Sequence, residues 1–178
     1  MTAKGHIVLN IPIAISSIYF LEEYYFKGIL EPQLFILFLV VTIFGSLLPD
    51  IDEPESYIGR KLPMFSNVLS IFISHRGITH FLCVPLLLIF VAVNQNDLIM
   101  KIILMGLAIG IFSHDIGDML TKGGIRGFFF PFFRNKTIGL LPKVFRFYTG
   151  TLTEYLVISV IIVTLLLVGF YYPKIIIH

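Results

Sequence analysis

The sequence predicts an all-α protein, a polytopic membrane bundle of about five transmembrane helices joined by two long cytoplasmic connections. Three observations carry that prediction. Of 178 residues, 57% are hydrophobic and only 13% charged, against about 25% charged in a soluble domain. Mean hydropathy is +0.92. The apolar residues fall into separate runs, several of them near the roughly 20 residues that a helix needs to cross a bilayer. The length suits a single membrane-embedded domain over 1–178, with the lipid bilayer as its first partner.

The first run, Ile7–Leu21, is short and holds Asn10 and Pro12, which makes it the weakest span. No small-residue cleavage site follows it; Glu22 and Glu23 do, so it is expected to stay as a helix. The second run, Gln33–Leu48, is almost purely aliphatic and aromatic. The third covers Ile78–Val93 and the fourth Leu98–Met119, whose last turns carry His114, Asp115 and Asp118. The fifth, Glu154–Tyr172, is rich in Ile, Val and Leu. Between the spans, Asn67–Ile73 suits a short helix at the membrane surface. Phe128–Phe133 is too short to cross and suits an interfacial or re-entrant piece, which is tolerated where it packs against protein.

Charge sets the orientation. With five spans, one side holds ten basic residues: Lys4, Arg60, Lys61, Arg76, Lys122, Arg126, Arg134, Lys136, Lys143 and Arg146. The other holds Lys27, Lys101 and Lys174. The positive-inside rule then puts the N-terminus and both long connections in the cytoplasm. A net charge of +2 with no dense basic cluster gives no case for nucleic acid as a partner. The single Cys83 excludes an intramolecular disulfide framework.

This orientation gathers the chemistry. His6, Asp50, Asp52, His75, His80, His114, Asp115, Asp118 and Glu154 all fall at the cytoplasmic ends of spans or in the connections. Ionisable residues at membrane depth are costly and mark functional positions. In Leu48-Pro49-Asp50-Ile51-Asp52 a proline ends the span and two carboxylates follow; in an extended segment both would face one cation, though a solvated acidic loop is the plainer reading. His75 and His80 are five apart, an offset of about 140° on a regular helix, so a turn at Gly77 is needed if both bind one ion. Arg76 between them has a fork suited to phosphate or carboxylate; a capped helix start with a topology-setting Arg is the alternative. His114 and Asp118 are four apart and share a helix face, a spacing used by helical metal ligands, or form a local polar pair. Asp115 lies off that face. His6 is either a ligand or an interfacial histidine. Glu154 opens the last span, where a carboxylate suits a helix N-terminus, so it is only an additional candidate, as is Thr121.

His and carboxylate together favour a divalent ion, whether Zn, Mn, Mg or Fe. An open position on such an ion supplies a nucleophile at neutral pH. The expected activity is a metal-dependent hydrolase, with His6, Asp50, Asp52, His75, His80, His114 and Asp118 as ligands and Asp52, His80 and Arg76 as catalytic candidates. A small-molecule or lipid substrate, a phosphoester or another amphiphile, would be met at the membrane face. A metal-ion or proton transporter using the same cluster is the alternative, although transport sites usually lie near the midplane.

The order of these motifs resembles a known family. Gly5-His6, LPDID at 48–52 with Ser56 and Gly59 following, HRGITH at 75–80 and SHDIGDMLTKGGI at 113–125 are similar to the YdjM-like proteins, LexA-regulated proteins of the bacterial inner membrane. The resemblance implies an inner-membrane location, a metal-dependent hydrolase, and a link to the SOS response through gene regulation. It places His6, Asp50, Asp52, His75, Arg76, His80, His114, Asp118 and Thr121 on the family's motif positions. Two departures stand out. Phe81 occupies a place where Ser often follows the HRG-type motif, and the aromatic segment 128–133 lacks a nearby Trp.

Overall fold

The computed structural model describes residues 1–72 and 77–176, with side chains as far as Thr164. His75 and Arg76 lie outside the described residues. Among those described, seven helices form a bundle: α1 (Ala3–Tyr24), α2 (Pro32–Gly45), α3 (Tyr57–Lys61), α4 (Pro63–Phe72), α5 (Cys83–Val93), α6 (Leu98–Met119) and α7 (Leu152–Ile176). The only sheet among these residues is a two-stranded antiparallel hairpin, β1 (Ile125–Arg126) with β2 (Thr137–Ile138).

Among the described residues, three segments are long and apolar enough to cross a membrane: α1, α2 with its continuation to Asp52, and α6. The first run is a full span of 22 residues. Thr2 caps it by accepting from the Gly5 N–H at 3.1 Å, the usual role of an N-cap hydroxyl. Asn10 does not face lipid: its side-chain amide donates to Thr42 Oγ1 of α2 at 3.2 Å. Helix α6 has the predicted bounds, capped by Asp97, which accepts from the Met100 N–H at 2.7 Å. Helix α7 extends over 25 residues.

The third run differs from expectation. Only Cys83–Val93 is α-helical; Ile78–His80 forms a 3-10 turn, and Phe81 is extended. Phe81 stacks on Phe130 at 4.8 Å, and the Leu82 N–H donates to the Phe128 carbonyl at 2.9 Å. The break therefore follows from docking of the 128–133 segment against this end of the bundle. Eleven residues rise only about 16 Å, short of the roughly 30 Å hydrocarbon core.

Helix α6 is the axis of the bundle. It packs on α1, α2 and α5. Its meeting with α2 is backbone to backbone: a Cβ on Gly45 would sit 2.8 Å from the Leu107 carbonyl oxygen, and one on Gly110 would run into the Thr42 carbonyl. Small residues at such a contact let two spans approach where no hydrophobic effect drives them together. Ile18, Ile29, Phe38 and Ile102 fill the core at the end away from the histidines. At the histidine end, Leu9, Leu120, Phe147 and Ile158 form a second cluster. The connection after α6 folds back over that end: Lys122 donates its N–H to the Phe147 carbonyl at 2.8 Å, and Leu140 donates to the Met119 carbonyl at 3.1 Å.

Candidate metal centre

Four elements deliver polar side chains to one end of the bundle. The first turn of α1 brings His6. The 3-10 turn Leu48–Asp52 brings Asp50 and Asp52. The 3-10 turn Ile78–His80 brings Thr79 and His80. The last turns of α6 bring His114 and Asp118. His6, His80, His114, Asp52 and Asp118 are all buried. Asp50 keeps 18% of its side chain exposed, so the cluster opens to solvent on its side.

The distances are short. His114 Nε2 lies 3.2 Å from His80 Nε2, 3.6 Å from Asp50 Oδ1 and 3.9 Å from Asp118 Oδ2. His80 Nε2 is 3.8 Å from Asp118 Oδ2, and His6 Nε2 is 3.5 Å from Asp118 Oδ1. The Met1 amino group also donates to Asp118. The His6 and His114 rings stack in parallel at 3.7 Å. Gly117 makes room for them, since a Cβ there would stand 3.1 Å from His6 Nδ1.

Hydrogen bonds fix which nitrogen of two imidazoles faces inward. His114 Nδ1 is 2.7 Å from the Ser46 carbonyl oxygen. A carbonyl only accepts, so Nδ1 carries hydrogen and, in the neutral ring, Nε2 carries the lone pair. Thr79 Oγ1 donates to Asp52 Oδ2 at 2.8 Å and lies 2.9 Å from His80 Nδ1. Its single proton is committed to the carboxylate, so His80 Nδ1 donates to Thr79 and His80 Nε2 also carries a lone pair. These assignments rest on the bonding network. Two lone pairs at 3.2 Å, with carboxylate oxygens beside them, repel unless a metal ion or a shared proton sits between them. Anchoring of the remote nitrogen by a carbonyl or carboxylate is the usual support of a histidine that ligates metal.

Among the described residues, two groups have ligand atoms all within 4.8 Å of one another: His6, His114 and Asp118; and Asp50, His80 and His114. The donor set of imidazole and carboxylate fits a divalent transition ion or Mg. His114 belongs to both groups and offers one free nitrogen. Asp52 is in neither; it reaches the cluster through Thr79. The segment Leu48–Asp52 is a 3-10 turn and not extended, and at about 120° per residue its alternate side chains diverge, which separates Asp50 from Asp52.

Glu154 serves another contact. Its Oε1 accepts from the Thr2 N–H at 3.0 Å and Thr2 Oγ1 at 2.6 Å, and its Oε2 accepts from the Gly150 N–H at 2.7 Å. It clasps the start of α1 to the start of α7. Thr121 donates its hydroxyl to the Asp118 carbonyl at 2.7 Å, ending α6. Two contributors were not singled out in the sequence. Thr79 could have been read as the hydroxyl beside His80. The Ser46 carbonyl has no side-chain signal at all. Asp115, which the sequence places off the ligand face, is in neither group; it is fully buried, and neither of its carboxylate oxygens has a hydrogen-bond partner.

The family model described as YdjM inner membrane protein matches residues 1–176. The chain belongs to the YdjM family. The inner membrane protein YdjM of Escherichia coli (strain K12) is 31% identical over 128 residues, which cover 70% of this chain. The match spans 63% of the length of that relative. The uncharacterized protein YvsG of Bacillus subtilis (strain 168) is 33% identical over 159 residues, 89% of this chain and 88% of the relative. No solved structure matches. Family membership and the apolar helices together make this a membrane-embedded protein of an inner-membrane family.

Proposed function

We propose that this chain is a membrane-bound, metal-dependent hydrolase acting at the cytoplasmic face on a phosphoester or another amphiphilic substrate. The observation that carries the reading is the convergence of His80 Nε2 and His114 Nε2 at 3.2 Å, each with its other nitrogen anchored, beside Asp50 and Asp118. These four residues hold the ion, with His6 against Asp118 as a further donor. A bound divalent ion with an open position polarises an ester and supplies a nucleophile at neutral pH.

The protein's own groups set the rest. Ser46 and the Asp52–Thr79 pair orient the two imidazoles. Asp50, on the solvent-reached side, is the ligand placed to meet substrate, and Asp52, linked to His80 through the Thr79 hydroxyl, is the carboxylate on which a proton can be held. From their sequence chemistry, His75 adds a donor and Arg76 holds the anionic group of the substrate. The ten-to-three bias of basic residues supports a cytoplasmic face. Transport is the weaker reading, because the cluster sits at helix ends and α2 meets α6 backbone to backbone at Gly45 and Gly110.

The test is a phosphoester hydrolysis panel on purified protein, with and without chelator. Chelator-sensitive hydrolysis that is lost in His114→Ala and Asp118→Ala is expected. Hydrolysis unaffected by either variant rejects the reading, and metal flux in proteoliposomes would replace it.

A further inference from the structure

Helix α4 is built inside out for an aqueous surface. Met64, Phe65, Val68, Ile71 and Phe72 fall within an arc of about 120° at 3.6 residues per turn. All five are exposed, Met64 and Phe72 at 82% and 80%. The one buried residue of the helix is polar, Ser66, which lies against Gly59. An amphipathic helix on a soluble protein turns its apolar stripe inward. Here the stripe points away from the protein.

Three observations say what covers it. Helix α4 packs on the 3-10 turn that continues α2, and α2 is itself a span whose outward side chains Ile36, Val40 and Phe44 are exposed apolar residues facing the bilayer. The apolar face of α4 thus adjoins a lipid-facing surface. Arg60 and Lys61, both exposed, stand immediately before it, and Tyr57 is exposed one turn earlier. A short helix with an apolar face, flanking basic residues and an aromatic with a polar tip is the pattern of one lying in the headgroup layer of an anionic membrane. A second copy of the chain would bring the same basic residues against these and repel them.

We infer that α4 lies in the membrane interface with its apolar face in the acyl region and Arg60 and Lys61 among anionic headgroups. Ser56 ties this segment to the acidic turn, its hydroxyl donating to the Asp50 carbonyl at 2.7 Å. The solvent-reached side of the metal cluster, at Asp50, is therefore held at headgroup depth. There it meets the polar head of a lipid or other amphiphile in preference to a freely soluble ester. That statement of substrate class rests on the hydrolase reading; the placement of α4 does not.

The chain contains no Trp, so one introduced indole reports alone. Phe65→Trp, Phe72→Trp and Val68→Trp, with Ser70→Trp as the polar-side control, are reconstituted as full chains into phosphatidylcholine–phosphatidylglycerol vesicles. Phosphatidylcholines brominated high or low on the acyl chain serve as quenchers. The first three are expected to emit to the blue of Ser70→Trp and to lose more intensity to brominated lipid, most of it to the shallow bromines. Emission and quenching equal to the control, with ready access to aqueous acrylamide, would overturn the inference. So would shielded indoles insensitive to bromine, which would place protein and not lipid on this face. Metal content and hydrolysis play no part in this readout.

Discussion

Thr79 lies between Asp52 and His80, at 2.8 Å from Oδ2 of the first and 2.9 Å from Nδ1 of the second. If the hydroxyl sets the tautomer of His80, Thr79→Val removes both bonds at nearly constant shape. His80 can then turn or carry its hydrogen on Nε2, where it cannot ligate. Loss of such a supporting partner typically lowers metal affinity by about 10- to 100-fold, or about 1.4–2.8 kcal/mol at 1.4 kcal/mol per decade. The assay is competition for Zn or Mn against a chromophoric chelator, with protein in detergent. Thr79→Ser keeps the hydroxyl and should bind within a few-fold of the parent. Parent-like affinity in Thr79→Val would refute the assignment of the inward-facing nitrogen.

Three further outcomes follow from the packing and the site. Glu154→Gln keeps the shape but removes the charge that Thr2 and Gly150 donate to; thermal denaturation should show a lower Tm with metal content unchanged, and loss of metal would make Glu154 part of the centre. Gly110→Ala drives a methyl into the Thr42 carbonyl, so it should destabilise by about 1–3 kcal/mol as other over-packed contacts do, measurable by denaturant titration in detergent. Phe81→Ser deletes the stack on Phe130; it should lower stability by roughly 0.5–1.5 kcal/mol beyond the lost apolar burial, while leaving metal affinity within a few-fold.

Helix α6 was legible because an apolar run interrupted only by Lys101 leads into His114, Asp115 and Asp118 where the span ends. The site was legible for a related reason. Histidines and acids at the ends of apolar runs are costly, and four element ends have few places to meet. Helix α1 read as weak because Asn10 looks like a defect until Thr42 is found opposite it. The break before Cys83 could not be read, since it depends on a hydrogen bond from Leu82 to Phe128, 46 positions on. The hairpin after Gly124 was missed as well; it turns on Gly124 and Gly127 at positive φ, with strands of two residues that give no alternating pattern. The separation of Asp50 from Asp52 needed the backbone, because the same five letters serve an extended segment and a 3-10 turn.

The most direct measurement is the divalent metal content of the purified protein by mass spectrometry, set beside His114→Ala and Asp118→Ala. A stoichiometric ion in the parent, absent from both variants while a His178→Ala control retains it, is the predicted result. Equal metal in all four proteins, or none in a parent supplied with Zn, Mn, Mg and Fe, would contradict a cation held between His80 and His114.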